Sequence, residues 1–215
     1  MNEDSRNLQK YPPILFDEAR RREFVDPDGL VELIGLEPGG RVADFGAGAG
    51  FFSIPLAHSV GPDGSVYAVD INPNNLSIIR GKADHEGVLE TITLTEANVE
   101  TGQGLEIAPG SLDAVVLSSV LSQFAAKPAV IRTAAQLLKP GGLLVIFEWH
   151  QRDMLLGPAP KARIAKESVI NLLFEGETPV RLERDVEAGF YHYCLIFSTT
   201  HSSGSDQARS EGSGR

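Results

Sequence analysis

Glycine occupies every second position in Gly46-Ala47-Gly48-Ala49-Gly50, directly after the run Arg41-Val42-Ala43-Asp44-Phe45. Glycine suits a backbone that must take positive φ or approach a ligand closely. Twenty residues beyond Gly50, Asp70 closes a second apolar run, Ser65 to Val69. A carboxylate in that place can accept hydrogen bonds from both hydroxyls of a ribose. Loop and carboxylate together describe a site for an adenosine-like ligand. No basic or phosphate-binding group accompanies them, which favours a nucleoside without phosphates. The dinucleotide fingerprint G-x-G-x-x-G/A fits poorly. Counted from Gly46 its last position is Phe51, too large for close helix–strand contact; counted from Gly48 it is Ser53, further inside the following helix. A Walker loop is excluded, because no Gly-Lys-Ser/Thr follows.

A second group of chemistry-bearing residues stands where the fourth and fifth strand-like runs end. Ser118-Ser119-Val120-Leu121-Ser122-Gln123-Phe124 follows the fourth, and Glu148-Trp149-His150 ends the fifth. Histidine is the side chain that changes charge near neutrality. His150 therefore reads either as a general base or as a loop histidine at the mouth of a sheet. Glu148 reads as a base, as an orienter of another group, or as a structurally paired carboxylate. Trp149 reads as core or pocket wall. Strand alternation puts Tyr191 and Tyr193 on one face and His192 on the other. Arg163, after Gly157-Pro158-Ala159-Pro160, is expected in a solvated or salt-bridged surface role, with contact to an anionic substrate as the alternative. Asp113 reads as a strand-start cap. No His/Cys/Asp cluster has metal-ligand spacing, so no metal is expected.

These residues must be positioned by alternating elements. Asp26-Pro27-Asp28 opens a helix through Ile34. Strands are expected at 41–45, 65–69, 91–95, 112–117 and 143–147. Helices are expected from about Gly50 to Val60, from Pro73 to about Asp84, and from about Pro128 to Leu138. Residues 99–111 read as loop, and Lys139-Pro140-Gly141-Gly142 as a sharp turn. A helix near 168–174 precedes two strands, near 179–186 and 190–198, with Gly189 between them. Strands alternating with helices imply a parallel sheet, and the last two an antiparallel hairpin at one edge. Such a sheet binds ligands at the carboxyl ends of its strands, beside the first.

With its motifs in this order the chain resembles the class I S-adenosylmethionine-dependent methyltransferases. Asp44-x-Gly46-x-Gly48-x-Gly50 matches that family's first motif, Val66-Tyr67-Ala68-Val69-Asp70 its second, and Leu112-Asp113-Ala114-Val115-Val116 its fourth-strand motif. Leu137-Leu138-Lys139-Pro140-Gly141-Gly142 matches the turn before the fifth strand. The resemblance spans about residues 29–198. It implies a Rossmann-like α/β fold: a seven-stranded, mostly parallel sheet with helices on both faces and a C-terminal antiparallel hairpin. It implies S-adenosylmethionine as cofactor and S-adenosylhomocysteine as product. Asp44, Gly46, Gly48, Gly50, Asp70, Ile71, Asn98, Val99 and Ser118 would meet the cofactor. Asp70 would hold the ribose, Asp44 would orient the loop or the cofactor amine, and Asn98 would face adenine. His150 and Glu148 are the catalytic candidates. The acceptor would be an oxygen, nitrogen or carbon nucleophile on a small metabolite, with a quinone-like ring one option. Related small-molecule enzymes often carry histidine where this chain has Ser122 and Gln123. A non-catalytic cofactor-binding relative is therefore the alternative, and a nicotinamide-dependent oxidoreductase a further one.

Composition narrows the reading. The 215 residues include 19 basic and 29 acidic side chains, a formal charge of −10. A nucleic-acid binder usually shows a basic excess, so nucleic acid is not an expected partner. The longest apolar runs have strand length, far short of the roughly 20 residues of a membrane helix. No membrane association is expected, and the expected compartment is the cytoplasm. A lone cysteine, Cys194, cannot form an internal disulfide and disfavours arsenic chemistry, which relies on several. Residues 1–25 read as a polar leader that can act as a lid, 26–200 as one domain, and 201–215 as a disordered Ser/Gly tail.

Overall fold

The computed structural model describes residues 18–154, 156–175 and 178–200. The lid expectation for residues 1–17 and the tail expectation for 201–215 lie outside them. The described chain opens with a short helix α1 (Glu18–Arg22), then α2 (Pro27–Ile34). In α2 the Asp26 carboxylate accepts from Gly29 N at 3.0 Å, Pro27 sits at the first helical position, and Gly35 closes the helix at φ 73°. The chain continues through β1 (Arg41–Phe45), α3 (Ser53–Val60), β2 (Ser65–Asp70), α4 (Pro73–His85) and β3 (Ile92–Glu96). Then follow β4 (Leu112–Ser118), α5 (Lys127–Leu137), β5 (Leu138–Trp149), α6 (Lys166–Glu175), β6 (Val180–Ala188) and β7 (His192–Thr199).

Seven strands form one sheet in the order β3-β2-β1-β4-β5-β7-β6. The pairs among β1 to β5 are parallel; β7 runs antiparallel to both β5 and β6. The order reverses at β1, which creates a crevice above the carboxyl ends of β1 and β4. Each face has its own apolar layer. Val42, Val66, Ala68, Val116, Phe147 and Ile196 pack with α2, α3 and α4. Phe45, Leu117, Ile146, Tyr193 and Phe197 pack with α5 and α6.

Three local expectations change. Helix α3 starts at Ser53, because Gly50 is left-handed at φ 80° and cannot belong to a right-handed helical turn. Lys139-Pro140-Gly141-Gly142 does not end pairing. Leu112 pairs with Leu138 and Ala114 with Leu143, so the intervening residues bulge out of β5. Tyr191 precedes β7 and does not share a face with Tyr193. Its ring meets Phe24 at 5.6 Å and Trp149 at 6.3 Å. No helix among the described residues is long and apolar enough to cross a membrane.

Candidate functional site

The glycine loop is built from below. Gly46 N and Ala47 N both donate to Val69 O, at 2.8 and 3.0 Å, which bends the chain over the end of β2. Gly46 has φ 71°, and a Cβ there would stand 2.4 Å from Val120 Cγ2. Gly48 also has positive φ, 54°, but a Cβ on it would meet only Gly46 O, in ordinary contact at 4.0 Å. The first glycine thus serves close packing and the second leaves room above the loop. Gly46→Ala should therefore be much the more damaging: roughly 1–2 kcal/mol of backbone strain plus the steric conflict, against backbone strain alone for Gly48→Ala. Chemical denaturation of the two variants measures the difference.

Asp44 lies beneath the loop, 1% exposed, and its carboxylate accepts from Ser53 Oγ at 2.7 Å in the first turn of α3. Burial pushes its pKa up to about 6, against the Ser53 hydrogen bond and the Arg21 charge. Arg21 lies over the Phe51 ring at 4.0 Å, and its own pKa is lowered to about 10 by burial. Lys82 of α4 donates to Ala49 O at 2.7 Å and pairs with Glu18 of α1. The loop is therefore clamped by side chains from three helices. Ser53 follows Asp44 by nine residues at a helix start, a signal the sequence offered; Lys82 and Arg21 carried none.

Asp70 is 8% exposed and ties the crevice together. Its Oδ2 accepts from Gly48 N at 2.8 Å; its Oδ1 accepts from Asn72 N at 2.8 Å and Asn75 Nδ2 at 3.1 Å. A carboxylate has about four lone-pair positions, so Oδ2 keeps capacity for a ligand hydroxyl. Ile71, the next residue, is a large apolar side chain 66% exposed, placed to cover a flat apolar group. Val99 is buried. Asn98 Oδ1 accepts from Glu100 N at 2.9 Å and Thr101 N at 3.3 Å. A ligand amine meeting that oxygen would compete with this turn.

At the ends of β4 and β5 several polar atoms lack partners. The Ser118 and Ser119 hydroxyls, Glu148 Oε2 and both ring nitrogens of His192 are shielded and unbonded. Glu148 is fully buried; its Oε1 accepts from Ser122 N at 3.2 Å, and burial pushes its pKa up to about 7. His150 lies two residues on, with its side chain 14% exposed. Its Nε2 is 2.8 Å from Glu187 Oε2. Lys166 spans Glu187 and Asp185, at 3.1 and 2.9 Å. His192 stacks on Phe147 at 4.6 Å and contacts Trp149 at 3.9 Å; burial lowers its pKa to about 3, so the ring is neutral. Trp149 is 7% exposed and forms wall beneath Gly157.

Arg163 departs from the surface expectation. It is 4% exposed and donates to the carbonyls of Pro158, His150, Arg152 and Leu156, at 2.7 to 3.1 Å. It organises the segment that follows β5. Arg163→Ala should cost roughly 2–4 kcal/mol, because hydrogen bonds to a charged donor contribute about 1.5–3 each and overlap in effect. A urea unfolding midpoint reads this directly. Asp113 has a structural position, accepting from Arg41 N at 2.8 Å and Lys139 Nζ at 2.6 Å. Among the described residues no group of three His, Cys, Asp or Glu could hold a metal ion.

The crevice thus brings together a nearly buried carboxylate with a spare acceptor position, an exposed apolar side chain and a turn of left-handed glycines. Residues 36–180 match the family model described as a methyltransferase domain. Over 121 residues the chain is 30% identical to the ubiquinone/menaquinone biosynthesis C-methyltransferase UbiE of Shewanella sp. (strain W3-18-1), covering 56% of this chain. The chain spans about half the length, 47%, of the curated relatives it matches. Among solved structures, a SAM-dependent methyltransferase from Aquifex aeolicus superposes with TM-score 0.77 at 21% identity, covering 93% of this chain and 100% of that one. Magnesium protoporphyrin IX methyltransferase from Synechocystis PCC 6803, with bound SAM, superposes with TM-score 0.63 at 20% identity, covering 81% and 78%.

Proposed function

The chain belongs to the methyltransferase domain family, with S-adenosylmethionine as its cofactor, and from that premise we propose that it methylates a ring carbon of a small quinol-like metabolite. When bound, the cofactor supplies a methyl group on a sulfonium, whose sulfur leaves with the bonding electron pair. Asp70 would hold the ribose, Ile71 and Val99 the base, and Gly46, Gly48 and Gly50 would shape the floor. Asp44 would fix that floor from beneath through Ser53, Asn98 would hold the turn beside the base, and Ser118 would face the amino-acid end. These contacts supply alignment, which can amount to roughly 7–11 kcal/mol of the barrier.

The observation that carries the acceptor class is Glu148. A carbon nucleophile must lose its ring proton after the methyl group arrives, so it needs a base near neutrality. Glu148 Oε2 is unbonded, sealed from water, and belongs to a carboxyl whose pKa burial raises to about 7. It would take the ring proton once the bound acceptor displaces the Leu121–Gln123 turn that covers it, while His150 lies beside Glu187. The names of the relatives support a quinone-type ring. A non-catalytic cofactor binder is the second reading. It is favoured by Gln123, whose amide donates to Ser119 O at 2.9 Å and is spent on the fold.

The test is transfer of isotopically labelled methyl from S-adenosylmethionine to a reduced naphthoquinone lacking its ring methyl. The expected product has gained one methylene in mass and keeps the label on carbon under conditions that cleave methyl ethers. A labelled ether would contradict carbon methylation, and an unlabelled ring would favour the binder.

A further inference from the structure

We propose that Lys82 is a positioning residue for the cofactor loop: it latches helix α1 to Ala49, and through that latch α1 sets the affinity for the cofactor. The inference rests on the methyltransferase reading and gives a role in it to Glu18 and Lys82, which lie outside every motif of the sequence.

The loop needs such a hold. Gly46, Gly48 and Gly50 all stand at left-handed φ, 71°, 54° and 80°. Glycine has the most conformational freedom to lose, so a loop built this way is unfavourable to order. Its inner part is fastened by the sheet and by itself. Gly46 N and Ala47 N donate to Val69 O, Gly48 N to Asp70 Oδ2, and Gly50 N to Ala47 O. The outermost residue, Ala49, is exposed and has a left-handed glycine on either side. Lys82, in the last turn of α4, donates to Ala49 O at 2.7 Å. That bond fastens the outer end of the loop.

Helix α1 aims the ammonium. Lys82 pairs with Glu18, the first residue of α1. Arg21, from the same helix, lies over the Phe51 ring at 4.0 Å, two residues beyond Ala49. Helix α1 thus meets the loop on both sides of Gly50. Its sequence is Glu-Ala-Arg-Arg-Arg, so charge fastens it more than apolar burial does. Lys82 lines a groove of about 600 Å³ between α1, α3 and α4, and the neighbouring Gly81 leaves open space there. The lysine stem is therefore uncrowded, and its two polar partners give it its direction. The Lys82 and Glu18 side chains are 31% and 36% exposed, and an ion pair so exposed adds little to overall stability. The latch acts instead on local order. A loop already held in its bound shape need not be ordered by the ligand, and affinity rises accordingly.

Titration calorimetry of the full chain with S-adenosylhomocysteine tests the latch. Lys82→Met keeps the stem but has no donor; it should bind roughly 10-fold or more weakly, with a melting temperature close to that of the parent protein. Lys82→Arg retains charge and donors and should stay within about threefold of the parent. Amide exchange at Gly48 to Phe51 should quicken in Lys82→Met and hold in Lys82→Arg. Lys139→Met breaks another ion pair, with Asp113 at 2.6 Å near the start of β4, and should leave affinity within about twofold. Unchanged affinity in Lys82→Met would overturn the proposal. So would an equal loss in Lys139→Met, which would assign the effect to general stability. A loss in Lys82→Met without faster exchange at Gly48 to Phe51 would overturn it too, because the lysine would then act by some route other than the loop. A parent protein that binds no S-adenosylhomocysteine would sink the methyltransferase reading and the proposal with it; binding in the parent with no change in Lys82→Met sinks the proposal alone.

Discussion

Asp70→Ala should weaken S-adenosylhomocysteine binding by 100-fold or more, about 2.7 kcal/mol. Loss of a ligand hydrogen bond to a charged acceptor alone accounts for about 1.5–3 kcal/mol. The structure adds a second cost. The same carboxylate accepts from Gly48 N, Asn72 N and Asn75 Nδ2, so it joins the glycine loop to the first turn of α4. Removing it frees the loop whose left-handed glycines must be held in place for the ligand. Asp70→Asn should fall between alanine and the parent. Its amide retains one acceptor oxygen but turns an N–H toward Gly48 N or Asn72 N, where a donor now meets a donor. Titration calorimetry gives the affinities. An unchanged affinity in Asp70→Ala would mean that the ribose binds elsewhere.

The second large effect belongs to Glu148. Glu148→Gln should lower the rate of methyl transfer by roughly 10²–10⁴-fold, the usual contribution of a positioned base. Affinity for S-adenosylhomocysteine should hold, since Glu148 is buried near the end of β5, beyond the proposed cofactor track. The parent's rate should rise with pH through about 7 as the carboxyl ionises, and the glutamine variant should lose that limb. If His150→Gln removed the limb and Glu148→Gln did not, His150 would be the base.

Stability should answer the same substitution with a change of slope. Glu148 and Asp44 have folded pKa values raised to about 7 and about 6, from 4.5 and 3.8. Each contributes stability that is full below its unfolded pKa and is lost as pH rises through the folded value. His192 runs the other way, lowered from 6.5 to about 3, and contributes stability present above 6.5 and lost as pH falls. Between pH 5.5 and 7.5 the two carboxyls outweigh the one imidazole, so the parent's melting temperature should fall as pH rises. Glu148→Gln removes the larger carboxyl effect, and the slope should flatten or reverse. An unaltered slope would show that Glu148 ionises in the folded chain as it does in the unfolded one.

Much of the fold was legible because apolar runs of strand length alternate with capped helices. Asp26-Pro27 and Asn72-Pro73 mark helix starts through side-chain caps and the fixed φ of proline. Local sequence could not show where α3 begins. That depends on the left-handed φ of Gly50, at a point where a Cβ would stand 2.9 Å from Ile79 Cγ1 of α4. The bulge after Leu138 was hidden for a similar reason, since a turn signal does not reveal that pairing resumes beyond it. At the site, the glycine spacing and Asp70 stood out because their chemistry is local. Arg163 did not. An arginine in a loop reads as solvated, and only the folded segment after β5 brings four carbonyls around it. Glu148 lay between these cases: its position at a strand end was visible, but its burial beneath the Leu121–Gln123 turn was not.

The central claim is that this crevice takes the cofactor of methyl transfer and not a dinucleotide. Titration of the parent protein with S-adenosylhomocysteine, and separately with NAD and NADP, tests it most directly. One saturable site for S-adenosylhomocysteine, with no heat from either dinucleotide, is the predicted result. Binding of NAD or NADP with none of S-adenosylhomocysteine would contradict it.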